Sequence, residues 1–183
     1  MKESELKKLK KELMKPGWTE DLHHSLEELS PEDAKIIVES MSDSEIYRKV
    51  NNRQFQEDYI ADYLEYLWEI SETAYWKHVK STLNLEHGIL WGDHMSHFEK
   101  MCKYEIPDDV LKAVFDFAIA VEIKDNYKQD FEAIGCVIKA QADDFGRLNE
   151  IKKYISLLDK AKQETANERI DLMLKCRCNY QFY

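Results

Sequence analysis

The stretch that most constrains this chain runs from Ile106 to Asp125, the most apolar run in the sequence. Pro107 suits the first position of a helix, where its missing N–H has no helical partner to lose. Asp108 and Asp109 follow, where the positive end of a helix dipole favours acid. From Val110 to Ile123 such a helix is apolar on most of its circumference, and Asp108, Lys112 and Asp116 form one narrow polar stripe. A helix apolar nearly all round is covered by other elements. This one is too short and too interrupted by charge to span a membrane. It is expected to be the central core helix around which the others pack.

The flanking sequence also reads as helix. Five glycines and three prolines in 183 residues are too few for an all-β chain and suit helices joined by short links. Periodicity predicts a short Lys-rich helix over 3–14, with Leu6, Leu9 and Leu13 on one side, and a second helix from Thr19 to Leu29. Ser30-Pro31-Glu32-Asp33 opens a helix to Met41 that should bury Ile36, Ile37 and Met41. Ser42 and Glu45 form a capping box for the next helix, which runs to Val50. Residues 54–83 read as helical throughout, with a bend near Ser71-Glu72-Thr73. Asn84 to Gly92 is the clearest loop. Helices over Asp93–Tyr104 and Tyr127–Ala142 flank the apolar run, and Gly146 stops the second. Arg147 to Cys178 carries one apolar stripe that weakens around Lys162 to Asn167. The capping box Thr165–Glu168 lies there, so two helices fit as well as one. The expected fold is all-α, a single domain over 1–183. About eight helices would form an irregular antiparallel bundle or a short stack of helical hairpins. Residues 1–15, being terminal, are expected to attach loosely.

Cys102, Cys136, Cys176 and Cys178 are too few and too irregular for a disulfide scaffold. The N-terminus has no apolar run after its charges, and no 18-residue apolar window exists anywhere. A reducing, cytoplasmic location is expected.

The net charge of −10 is unevenly spread. Residues 1–19 carry six Lys against three Glu, whereas residues 20–69 carry fourteen acids against four bases. From the end of that block, Asp58, Asp62, Glu65 and Glu69, with Glu72 just beyond it, are spaced four, three, four and three apart. On one continuous helix they fall within an arc of about 80°. Their mutual repulsion costs roughly 1 kcal/mol in all, and a face kept only for solubility would mix lysines among the acids. Tyr66 and Trp68 lie at the edges of this ridge. Acids beside aromatics suit a basic protein partner: charge steers encounter and rings supply anchor area. The bland alternative is a solvated face whose charges are answered by Lys or Arg from another helix.

The expected function is therefore a non-enzymatic binding or inhibitor module whose acidic face, residues 20–72, engages a basic partner protein. Immunity proteins and antitoxins use charge in this way against nucleic-acid enzymes, which carry basic clefts for phosphate. Acid of this density repels nucleic acid and acidic membranes, so neither is an expected direct partner. No cofactor is expected.

Two metal readings stand beside this one, for a metal-dependent hydrolase or oxidase. Glu69-x-x-Glu72 and Glu105-x-x-Asp108 resemble, over four residues, the paired motifs of all-helical nucleotide pyrophosphohydrolases. That resemblance implies Mg²⁺ and a diphosphate substrate. The sequence departs from the pattern in that Glu105 and Asp108 straddle a proline helix start, and no phosphate-binding Lys/Arg motif accompanies them. Separately, His87, Asp93, His94 and His97 fall within eleven residues, and His94 and His97 share a helical spacing that suits Zn or Fe. The favoured reading of these residues is a rim of surface histidines around a loop anchored by Trp91. No nucleophile elbow, Gly-rich phosphate loop or Cys-x-x-Cys pair is present. A third possibility is a structural subunit whose apolar faces pair with a second copy.

Overall fold

Ser71 shows how this chain makes its elements. Its N–H donates to the Leu67 carbonyl at 2.8 Å and completes one helix. Its Oγ accepts from the Ala74 N–H at 3.2 Å and caps the next. The same hydroxyl donates to Glu39 Oε1 at 2.6 Å, so the junction is tied to a third helix. The expected bend near Ser71 is thus a full break.

The structure, a computed structural model, describes residues 2–15, 19–50, 57–83, 95–120 and 128–175. Among the described residues every regular element is an α-helix. There are eleven of them: α1 (Glu3–Leu13), α2 (Thr19–Glu27), α3 (Pro31–Glu39), α4 (Asp43–Val50), α5 (Glu57–Ile70), α6 (Glu72–Thr82), α7 (Met95–Lys103), α8 (Asp108–Ala120), α9 (Lys128–Asp143), α10 (Leu148–Ser156) and α11 (Lys160–Leu174). Sequence periodicity counts about eight. The difference arises partly at Ser71 and partly at Leu157–Asp159, where α10 gives way to α11. The break does not fall at Thr165. α11 runs through that residue because Ala166, Ile170 and Met173 bury one side of it. Gln163 Nε2 donates to the Leu158 carbonyl at 2.7 Å, occupying one of the acceptors a helix end leaves open. Among the described residues, no helix is long and apolar enough to cross a membrane.

The helices group into two compact units, Met1–Thr82 and Leu83–Tyr183. In the first, α5 packs on α2, α3 and α6, and α6 also packs on α3 and α4. Ser30 and the Ser42–Glu45 box cap as expected, with Asp33 N–H on Ser30 Oγ at 3.2 Å and Ser42 N–H on Glu45 Oε2 at 2.7 Å. The inward row of α3 is Ala34, Ile37, Val38 and Met41. Ile36 was expected in that row but is 53% exposed, because a step of one residue turns it some 100° away.

In the second unit the helix that touches all the others is α9, which packs on α7, α8, α10 and α11. The run at Ile106–Asp125 yields α8, and its Val110, Leu111, Val114, Phe115, Phe117 and Ala118 are buried as expected. It is not the hub. Asp108 and Asp116 are exposed and Lys112, which pairs with Asp116, is half-buried, so one side of α8 stays open to water. Over Phe131–Ala142 α9 has no exposed residue: Glu132 and Lys139 are half-buried, and even Gln141 is fully buried. Gln141 Nε2 donates to the carbonyls of Met101 and Tyr104, both at 2.8 Å, and its Oε1 accepts the Ile106 N–H at 3.3 Å. Gly146, at φ 70°, turns the chain into α10. Arg147 follows it, buried, and donates to the Ile106 carbonyl, Asp108 and Glu150. Two side chains from the α9–α10 corner therefore satisfy the backbone that links α7 to α8.

Candidate protein-binding surface

Asp62, Tyr66 and Glu69, four and three residues apart, share one side of α5. Leu22 and Leu26 of α2 are buried, and α2 lies along α5. The residues after those leucines, His23 and Glu27, come to the same seam. The His23 ring lies 5.2 Å from the Tyr66 ring and 6.0 Å, edge-on, from Tyr63. Its Nε2 is 3.7 Å from Glu27 Oε1. The Tyr66 hydroxyl donates to the Leu26 carbonyl at 3.1 Å and fastens the seam. The result is a half-buried His–Tyr floor beneath the exposed carboxylates of Glu27, Asp62 and Glu69.

The electrostatics agree with that geometry. Burial pulls the His23 imidazole below its ordinary range, and the Glu27 and Asp62 carboxylates act against this. Burial pushes the Tyr66 phenol up, with Glu27 and Glu69 adding to the shift. These groups therefore sense one another across two helices. Among the described residues no Lys or Arg forms an ion pair with Asp62 or Glu69.

The ridge is thus redrawn. The five-acid arc assumed one helix, but the break at Ser71 puts Glu72 on α6, where it accepts from Trp76 Nε1 at 3.1 Å. Glu65 is half-buried on the opposite flank, near Tyr75, whose phenol it helps to raise after burial. The side chain of Asp58 lies outside the described residues. Trp68 is half-buried in an edge-to-face cluster, 5.0 Å from Tyr75 and 5.8 Å from Trp76. His23 and Glu27 are additions that the ridge did not contain. Their signal in the sequence was the Leu22–Leu26 spacing, which places both beside a buried row.

The metal readings gain no site among the described residues. His87, Asp93 and His94 lie outside them, as does the side chain of His97. No group of three or more His, Cys, Asp or Glu among the described residues is placed to hold a metal ion. Glu69 and Glu72 sit on different helices, and Asp108 is paired with Arg147.

Beneath the surface lies one buried polar pair. His78 Nδ1 is 2.7 Å from the Ala74 carbonyl, which only accepts, so Nδ1 carries the proton. Nε2 is then the acceptor for the Tyr63 hydroxyl at 3.1 Å. Burial pulls the His78 imidazole down to about 4. Folding therefore favours neutral His78. That stabilisation is complete above the ordinary histidine value of about 6.5 and is lost as the pH falls toward 4. The expected loss from this group is about 3 kcal/mol by pH 4. Urea unfolding at pH 7, 6, 5 and 4 measures it. The Tyr63→Phe, His78→Leu double variant should show a shallower slope over that range, and an unchanged slope would refute the assignment.

No protein-family model, curated protein or solved structure matches this chain.

Proposed function

We propose that the chain is a non-enzymatic binding or inhibitor module that engages a basic partner protein through its acidic first unit. The observation that carries this reading is the convergence of Glu27, Asp62 and Glu69 from two helices onto the His23–Tyr66 floor, with no described Lys or Arg paired to Asp62 or Glu69. A surface kept only for solubility would tend to intersperse bases. Steering by these carboxylates would set the association rate, and the half-buried rings of His23 and Tyr66 would supply contact area. The mechanism is steric and electrostatic occlusion of a basic cleft, like that of immunity proteins in its use of charge. The reducing, cytoplasmic setting expected from the cysteines suits such a role.

Charge reversal tests it. Partners are captured at 0.1 M salt by the native chain and by the Asp62→Lys, Glu69→Lys variant, and association rates are then measured with the captured partner. The variant should associate about tenfold more slowly at 0.1 M salt. The gap should close near 1 M, where the screening length falls from about 10 Å to about 3 Å. Equal association rates for the two proteins at low salt would remove this surface from consideration.

A further inference from the structure

The first helix carries four lysines against three glutamates, and little of it is buried. Of its eleven residues only Leu6 is buried. Leu9, Lys10 and Leu13 are half-buried, and the remaining side chains face water. Its ion pairs Glu3–Lys7 and Glu12–Lys15 are internal and exposed, so they do nothing to hold it down. Three polar contacts do. Lys10 Nζ donates to the Ser40 carbonyl at 2.6 Å and lies 3.2 Å from Glu45 Oε2. Lys49 Nζ donates to the Lys15 carbonyl at 2.9 Å.

The Ser40 carbonyl and Glu45 are in place without α1. The Ser40 carbonyl belongs to the C-cap of α3, where helix geometry leaves acceptors open. Glu45 is fixed by its own capping box, through Ser42 N–H at 2.7 Å and Ser42 Oγ at 2.9 Å, whether or not a lysine arrives. Lys49 presents a cation to the end of α1, where a helix dipole is negative. The dock thus reads two features five residues apart: a lysine, and then the carbonyl at a helix C-terminus. An eleven-residue helix is marginal on its own in water, so α1 that leaves the dock also melts.

We propose that α1 is a releasable strap. It occupies a preformed dock on α3 and α4 built for a lysine-bearing amphipathic helix, and it leaves that dock without unfolding the rest of unit one. A helix of the same kind from a basic partner can then enter by exchange. This surface is distinct from the α2–α5 seam, and its test does not depend on Asp62 or Glu69.

Hydrogen exchange on the full chain tests the strap, with a synthetic peptide of residues 2–15 as the probe. The amides of α1 should exchange at least about tenfold faster than those of α3, α5 and α6. Only α1 should accelerate in 1 M salt. Excess peptide should accelerate exchange in α1 further and saturably, by holding the dock, whereas the same peptide with Lys10→Glu should not. In the Leu6→Asp chain, α1 should lose protection while α5 and α6 keep theirs. Exchange of α1 in step with α3 and α5, no effect of the peptide, or loss of protection across the unit in Leu6→Asp would each overturn the proposal.

Discussion

Replacing Gln141 by Leu is expected to lower the unfolding free energy by about 4 kcal/mol, although the two side chains are similar in volume. Gln141 is fully buried and serves three backbone groups: the carbonyls of Met101 and Tyr104 and the N–H of Ile106. None of these groups belongs to the regular hydrogen bonding of α7 or α8, because they lie at the end of one helix and in the link to the next. The bonds to the Met101 carbonyl and the Ile106 N–H are buried, and each such group left without a partner costs about 1–3 kcal/mol. The transfer gain of an apolar side chain offsets only part of that. Urea denaturation followed by circular dichroism measures the change. Gln141→Glu is the informative control, since it keeps an acceptor for Ile106 N–H but loses both donors. It should also destabilise at pH 7. A loss below about 1 kcal/mol in Gln141→Leu would mean that the α7–α8 link finds other partners.

That corner also shows where the sequence could be read and where it could not. Local chemistry was legible: the caps at Ser30 and Ser42, and the turn at Gly146, depend on residues no more than six apart, and they form as their spacing predicts. The buried rows of α9 and α10, with Ile134, Val137, Ile138, Ile151 and Ile155, were legible for the same reason. The hub was not. Hydropathy ranks α8 above α9 because α9 carries several charged residues and Gln141, but three partners distant in sequence allow Gln141 to be fully buried. The break at Ser71 was hidden likewise. Ser-Glu-Thr is compatible with a helix interior, and the bond that accompanies the break reaches Glu39, thirty-two residues away.

The candidate surface divides along the same line. Asp62, Tyr66 and Glu69 were legible because one helix carries them. Glu72 leaves the ridge because a helix junction interrupts the arc. His23 reads from sequence as a plain helix-surface residue, and neither it nor Glu27 joins the ridge there, because their relation to α5 is tertiary, made by the burial of Leu22 and Leu26 and by the Tyr66–Leu26 hydrogen bond. Aromatic anchors were over-read for the opposite reason. Trp68 packs against Tyr75 and Trp76, and the Tyr66 hydroxyl is already bonded, so each ring is partly committed to the unit's own core. Under the proposed function, a partner would be met by carboxylates more than anchored by free rings.

Ala118→Asp should destroy the folded second unit at pH 7, with loss of protection in α8, α9 and α11 by hydrogen exchange. Ala118 is fully buried one turn after Val114 and Phe115, in the row α8 turns inward. A carboxylate placed there loses its hydration, which costs several kcal/mol and matches much of a domain's total stability. Arg169 is the nearest source of relief. Its Nη1 already donates to the carbonyls of Ala118 at 3.3 Å and Ile119 at 2.9 Å, near the C-terminus of α8, so rescue would strip those acceptors. The pH dependence separates charge from crowding. Burial raises the folded-state pKa of the introduced carboxyl above its ordinary value of about 3.9, so the variant is least impaired below that value and worsens as the pH rises. Ala118→Asn has nearly the same shape and no titration, and its deficit should stay flat across the same range. If the two variants instead run parallel from pH 4 to pH 7, the damage is steric. If Ala118→Asp unfolds like the native chain, α8 does not bury that face.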